Sequence, residues 1–216
     1  PGRPGMNITD FSLELFSLVG RNAIITGGNT GLGQAFTLAL AKAGANVFVP
    51  SVTPDDGETR ALVEAEGVRY AHLDCDLTVP GAPAEIVAGC LDAFGSLDIV
   101  VNSAGICLLA EVADFGRRLW DPMIAVNLTA AFELAHEASK PMRAQGSGKI
   151  INIASLFSYL GGKQSPAYAA SKAGLMGFTK AYCDELAADN VQVNAIAPGY
   201  FATAITAATR SNPDSD

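Results

Sequence analysis

Positive charge is scarce in this chain. Its 216 residues carry only 14 Lys and Arg against 22 Asp and Glu, a formal net charge of −8. Binding to nucleic acid needs clustered cations that neutralise phosphates, and the few present are scattered, so that class of partner is excluded. Long apolar runs are lacking as well. None approaches the roughly 20 residues that a membrane-spanning helix needs, and no membrane association is expected. Cysteine is limited to Cys75, Cys90, Cys107 and Cys183, with no CxxC pair. They lie in apolar or helical stretches, which predicts free buried thiols in a reducing cytoplasm rather than disulfides or a zinc site. His72 and His136 stand alone without a second ligand at a useful spacing, so no metal is expected.

There is no internal repeat, low-complexity block or charged tail. With 49% hydrophobic residues the chain has the composition of an ordinary globular protein, long enough to bury about 70% of the surface its unfolded form exposes. Residues 1–5 (PGRPG), ahead of Met6, lack the apolar centre of a signal peptide and are expected to be a cloning remnant. Residues 6–216 are expected to form one domain.

What is present is an alternation. Short apolar runs at 22–26, 47–51, 68–73, 97–101, 149–154 and 191–196 read as strands. Three of them (NAIIT, LDIVV and KIINIA) are nearly continuous in apolar residues, the pattern of strands covered on both faces. Helical stretches at 34–43, 58–66 and 84–94 each stop at a glycine (Gly44, Gly67 and Gly95), suited to the left-handed position past a helix end. Longer ones cover 120–144 and 167–189. Strand and helix in alternation give right-handed crossovers. The expected fold is α/β, a doubly wound parallel sheet with helices on both faces. The two longest helices exceed what covering a sheet requires, and their surplus apolar surface points to a homodimer or homotetramer.

The stretch TGGNTGLG, residues 26–33, falls between the first strand and the first helix. Glycines at 27, 31 and 33 allow a tight turn, close approach to a phosphate, and close contact of helix and strand. Amides at the following helix N-terminus can hold a pyrophosphate. The expected cofactor is therefore a dinucleotide. The end of the second strand carries Ser51 and then VTPDDGE. Asp55, Asp56 and Glu58 would repel a 2′-phosphate, which favours NAD, with NADP as the alternative.

In order along the chain stand TGxxxGxG (Thr26–Gly33), Asp76 in CDLT, NSAG at 102–105, Asn127 in the long helical stretch, Ser155 after the fifth strand, Tyr168 with Lys172 as YxxxK, and Pro198–Thr203 as PGxxxT. This series resembles the short-chain dehydrogenase/reductase family across nearly the whole chain. The segments KIINIASLFSYLGG and VQVNAIAPGYFAT are similar to its sugar-acid branch, the 2-deoxy-gluconate 3-dehydrogenases and gluconate 5-dehydrogenases. The resemblance implies a Rossmann-like fold and hydride exchange between NAD(H) and a secondary alcohol or ketone, with a sugar or sugar acid such as 2-deoxy-gluconate as substrate. It implies a catalytic set of Asn127, Ser155, Tyr168 and Lys172, with Asn127 holding a water that links the lysine to solvent. It implies cofactor contacts at Gly27, Asn29, Thr30, Gly31, Leu32, Gly33 and Ser51, at Asp76 and Leu77 near the adenine, and at Asn102, Ala104 and Gly105 on the ribose side. Tyr168 and Lys172 join them, with Pro198, Gly199, Phe201 and Thr203 beside the carboxamide. Competing readings are a dinucleotide-binding regulatory protein without turnover and a short-chain reductase of a non-sugar carbonyl.

Three departures stand out. Ser103 replaces the family's second asparagine, and ICLLAEV (106–112) stands where sugar-acid members carry paired arginines, leaving Lys163 to supply a cation. The chain also stops before members normally end, so a last strand is expected to be missing.

The spacing of the tyrosine and lysine has a physical rationale. Residues four apart share one helix face. Bringing a phenol from its usual pKa to near neutrality takes about 4 kcal/mol. An ammonium about 4 Å away at an effective dielectric near 20 supplies about that much. The expectation is thus that Lys172 lowers the pKa of Tyr168.

Overall fold

The structure is a computed structural model, which describes residues 12–203 and 206; the expected remnant at 1–5 lies outside them. Six parallel strands form one sheet in the order β3-β2-β1-β4-β5-β6. They are β1 (Asn22–Ile25), β2 (Asn46–Ser51), β3 (Tyr70–Asp74), β4 (Ile99–Asn102), β5 (Gly148–Ile153) and β6 (Val191–Ile196). All six expected runs are strands, with ends displaced by two residues at most. Order reverses between β1 and β4, and the space beyond the carboxyl ends of those strands is where open α/β sheets bind ligands.

Both sheet faces are covered, which explains the uninterrupted apolar runs. In β1, Ile24 packs on one side with Val100, Ile150, Leu134 and Met142. Ala23 and Ile25 pack on the other with Val47, Val49, Val101 and Val63. Helices α1 (Gly31–Lys42) and α2 (Glu58–Glu64) supply the second layer. The first comes from α3 (Ala82–Phe94), α5 (Ala130–Gln145) and α6 (Pro166–Leu186). Gly44 (φ +103°), Gly67 (φ +77°) and Gly95 (φ +88°) adopt the left-handed conformation expected past their helices.

The expected helix over 120–144 is three pieces: α4 (Arg117–Ile124), one π turn (Ala125–Thr129), and α5. The wider π turn rotates the residues that follow, and such turns accompany functional sites. Here it brings Asn127 inward to 1% exposure. On the outer side of α5 and α6, Phe132, Phe178 and Tyr182 stack edge-on, and Phe132 is 42% exposed. Among the described residues no helix is long and apolar enough to cross a membrane.

Candidate active site

A cleft of about 400 Å³ opens at the carboxyl ends of the strands. Its first wall is the turn from β1 into α1: Gly27, Thr30, Gly31, Leu32 and Gly33 all line it. A β-carbon on Gly33 would stand 2.2 Å from the Gly27 carbonyl oxygen, so only glycine lets α1 begin this close to the strand. The helix was expected from 34, whereas α1 begins at Gly31. Thr30, its N-cap, makes no side-chain cap bond. Thr26 joins this turn to the loop after β4, its hydroxyl accepting the Ser103 and Ala104 amides at 2.9 Å each.

The next wall, past the ends of β2 and β3, is formed by Ser51, Val52, Thr53, Asp76 and Leu77. Two hydrogen bonds from Thr78, one backbone and one hydroxyl, hold the Asp76 carboxyl below its ordinary value. Asn29 does not line the cleft. Its amide donates to the Thr53 carbonyl at 2.8 Å and ties the glycine turn to the loop after β2.

The other end gathers Ala104, Gly105, Ser155, Tyr168, Lys172, Pro198, Gly199, Phe201 and Thr203. Ser155 caps a short 3-10 turn (Leu156–Ser158), accepting the Phe157 amide at 3.2 Å, and its hydroxyl is placed to draw the Tyr168 phenol pKa down. Lys172 is 4% exposed and donates to the Ile153 carbonyl at 2.7 Å. Phe157 stands edge-on to Tyr168, with ring centroids 6.0 Å apart.

Asn102 and Asn127 lie behind the cleft wall rather than on it. Asn102, at the end of β4, donates to the Ala131 carbonyl and to Asn152 Oδ1 at 2.8 Å. Asn127 Oδ1 accepts the Ile106 amide at 2.8 Å, while Nδ2 donates to the Ile106 carbonyl and to Ser171 Oγ. Both ends of that amide are engaged by protein. What it does is fasten the loop after β4 to α6. Neither side chain lines the cleft, because each is held by the bonds just named.

The electrostatics also depart from expectation. Burial pushes the Tyr168 phenol above its ordinary value, and the Ser155 hydrogen bond offsets this only in part. The Lys172 ammonium lies 5.7 Å from the Tyr168 ring centroid, and burial lowers its pKa to about 8. The protein by itself therefore does not show the expected lowering of the Tyr168 pKa, because burial acts on the phenol and the ammonium alike.

Sequence reasoning missed several residues here. Ile106 and Val126 line the cleft. Cys107 lies against Ser165 at 3.5 Å, and burial raises its thiol. As plain apolar or cysteine positions, they carried no signal.

Residues 21–214 match the family of short chain dehydrogenases. The chain is 61% identical over 210 residues to the uncharacterized oxidoreductase YgcW of Escherichia coli (strain K12), covering 97% of this chain and 80% of that protein. It is 43% identical over 199 residues to 2-dehydro-3-deoxy-D-gluconate 5-dehydrogenase of Bacillus subtilis (strain 168), covering 92% and 78%. Among solved structures it is similar to a candidate NAD(P) dependent gluconate 5-dehydrogenase from Beutenbergia cavernae with bound NADP. That match has a TM-score of 0.86 at 38% identity and covers 91% of this chain and 79% of the other. On the motif order, the sheet topology and these matches together, the chain belongs to the short-chain dehydrogenase family.

Proposed function

We propose that this protein oxidises a secondary alcohol of a sugar or sugar acid, and reduces the matching ketone, with NAD or NADP as hydride partner. The observation that carries this is convergence: Ser155, Tyr168 and Lys172 line the same cleft as the glycine turn of α1. The residues fit a dinucleotide. A Cβ at Gly105 would stand 3.3 Å from Asn127 Oδ1 and 3.6 Å from Lys172 Nζ, so glycine there keeps space beside the ammonium open. An ammonium carries three donors. Lys172 spends one on Ile153, leaving donors for ribose hydroxyls.

Nicotinamide supplies the hydride exchange when bound; the chain's own groups do the rest. Tyr168 Oη takes the alcohol proton during oxidation and returns it during reduction. Ser155 Oγ hydrogen-bonds the reacting oxygen and stabilises its developing charge. Burial around the phenol raises its pKa, so phenolate forms once positive charge gathers beside it, and Lys172 is the chain's source of that charge. The second strand ends in Ser51, and the nearby Arg60 is held by Asp55 at 2.9 Å, an arrangement that favours NAD. Sugar-acid substrates are supported by the Bacillus subtilis relative's name and by exposed Lys163 on the loop between Ser155 and α6.

The test is a screen of sugar acids, neutral polyols and ketones with both cofactors, followed at the nicotinamide absorbance band. Turnover of a sugar acid or polyol is expected, and Tyr168→Phe should lower kcat by about 10²- to 10⁴-fold with cofactor affinity retained. Silence across the panel would remove the substrate class; a fully active phenylalanine variant would remove the tyrosine from the chemistry.

A further inference from the structure

Ser158 lies three residues beyond Ser155, is half-buried, and does not line the cleft. Its hydroxyl is nevertheless used twice. As an acceptor it takes the Ser155 amide at 3.2 Å, and as a donor it bonds the Lys172 backbone carbonyl at 2.9 Å. An ordinary capping box closes within its own turn. Here the same oxygen also reaches a residue 14 positions away, whose side chain enters the site.

We propose that Ser158 is a positioning residue that locks Ser155 and Lys172 into one unit, fixing the end of β5 against α6. This rests on the catalytic reading above. A serine hydroxyl has one proton to donate, and here it goes to Lys172, so the Ser155 amide meets only a lone pair and the direction of both bonds is set. The turn then presents the Ser155 hydroxyl to the phenol from one side while α6 presents Lys172 from the other. Two further bonds hold the same junction: the Phe157 amide to Ser155 Oγ and Lys172 Nζ to the Ile153 carbonyl. Alanine at 158 would cut this hydroxyl bridge between the turn and the helix backbone, leaving the carbonyl with its helical partner and the Ser155 amide without its Ser158 acceptor.

The test compares Ser158→Ala and Ser158→Thr with the unaltered enzyme on the best substrate of the screen. For Ser158→Ala, kcat should fall roughly 10-fold, within the roughly 100-fold that a misplacement of about 1 Å can cost, while KM and cofactor affinity hold. Because the Ser155 bond favours the ionised phenol, the rising limb of kcat/KM against pH in the oxidation direction should move to higher pH. Ser158→Thr keeps the hydroxyl and should restore both. An alanine variant with unchanged kcat and pH profile overturns the proposal. So does a loss of rate that threonine does not rescue, or one that only tracks loss of folded protein by circular dichroism. If the unaltered protein turns nothing over, the catalytic reading has failed instead, and the two failures are told apart.

Discussion

Two regions of the site are built on different principles. At the glycine turn, backbone does the work: glycines at 27, 31 and 33 line the wall, and the close approach at Gly33 leaves no room for a methyl. Behind the cleft wall, side chains do it. Asn102 bonds Asn152, Asn152 donates to Thr179 at 2.9 Å, and Thr179 donates to the Leu175 carbonyl, a buried chain running from β4 through β5 into α6. One region is specified by what is missing from the residue, the other by polar groups placed to meet each other. They should therefore fail in different ways.

Adding a methyl should break the first region most sharply. Gly33→Ala drives a carbon to 2.2 Å from the Gly27 carbonyl and 3.2 Å from Gly28 Cα. These are backbone atoms that cannot rotate aside, and overpacking costs typically 1–3 kcal/mol or more. Cofactor affinity by calorimetry should fall roughly 10- to 100-fold, with the sheet still evident by circular dichroism. Affinity within about twofold of the parent would show that the turn can relax, and would weaken the contrast.

Removing a polar group should break the second region. Asn152 is fully buried, and Asn152→Ala deletes two hydrogen bonds and leaves a cavity. The expected loss is about 2–4 kcal/mol in denaturant unfolding. Cofactor affinity should change little, since this chain lies behind the wall. A loss below about 1 kcal/mol would mean that the network contributes orientation rather than stability.

The same contrast explains what could be read from the sequence. Strand existence and sheet class were legible because both faces of β1 and β4 are buried, so apolar residues run without interruption. The glycine turn was legible because its spacing is local. Asn29, Asn102 and Asn127 share their residue type with ligand-contacting positions, and nothing local reveals that their partners are Thr53, Asn152 and Ile106. Those pairings span 24, 50 and 21 residues. The π turn was hidden for a related reason. AVNLT has ordinary helical composition, and the cause of the extra residue is tertiary. Ser155 was legible as a site residue through the motif order, whereas its second use, capping the turn by accepting the Phe157 amide, was not. The charge relation of Tyr168 and Lys172 was misjudged because spacing shows proximity but not desolvation, which here acts on both groups.

That desolvation makes the smallest prediction, and its sign is fixed. Burial lowers the Lys172 pKa from 10.5 to about 8. Between those two values the unfolded chain holds a proton there that the folded chain has released. Stability gained from this group must therefore rise with pH across that window, with a slope of at most about 1.4 kcal/mol per pH unit. Below pH 8 the folded protein must keep a buried ammonium, and the full cost is present. Cys75, Cys90 and Cys107 act in the opposite direction above their ordinary value of 9.0, since burial raises each of them. The lysine's effect is thus cleanest between pH 8 and 9 and is best isolated as a difference. Lys172→Met keeps the volume and removes the titration. Subtracting its pH-stability curve from that of the parent, both without cofactor, should leave a positive slope in that interval. A flat difference would mean that the ammonium is solvated at the cleft floor. The end of the cleft lined by Tyr168 and Lys172 would then be less dry than its packing implies, and the case for a phenol raised by burial would fall with it.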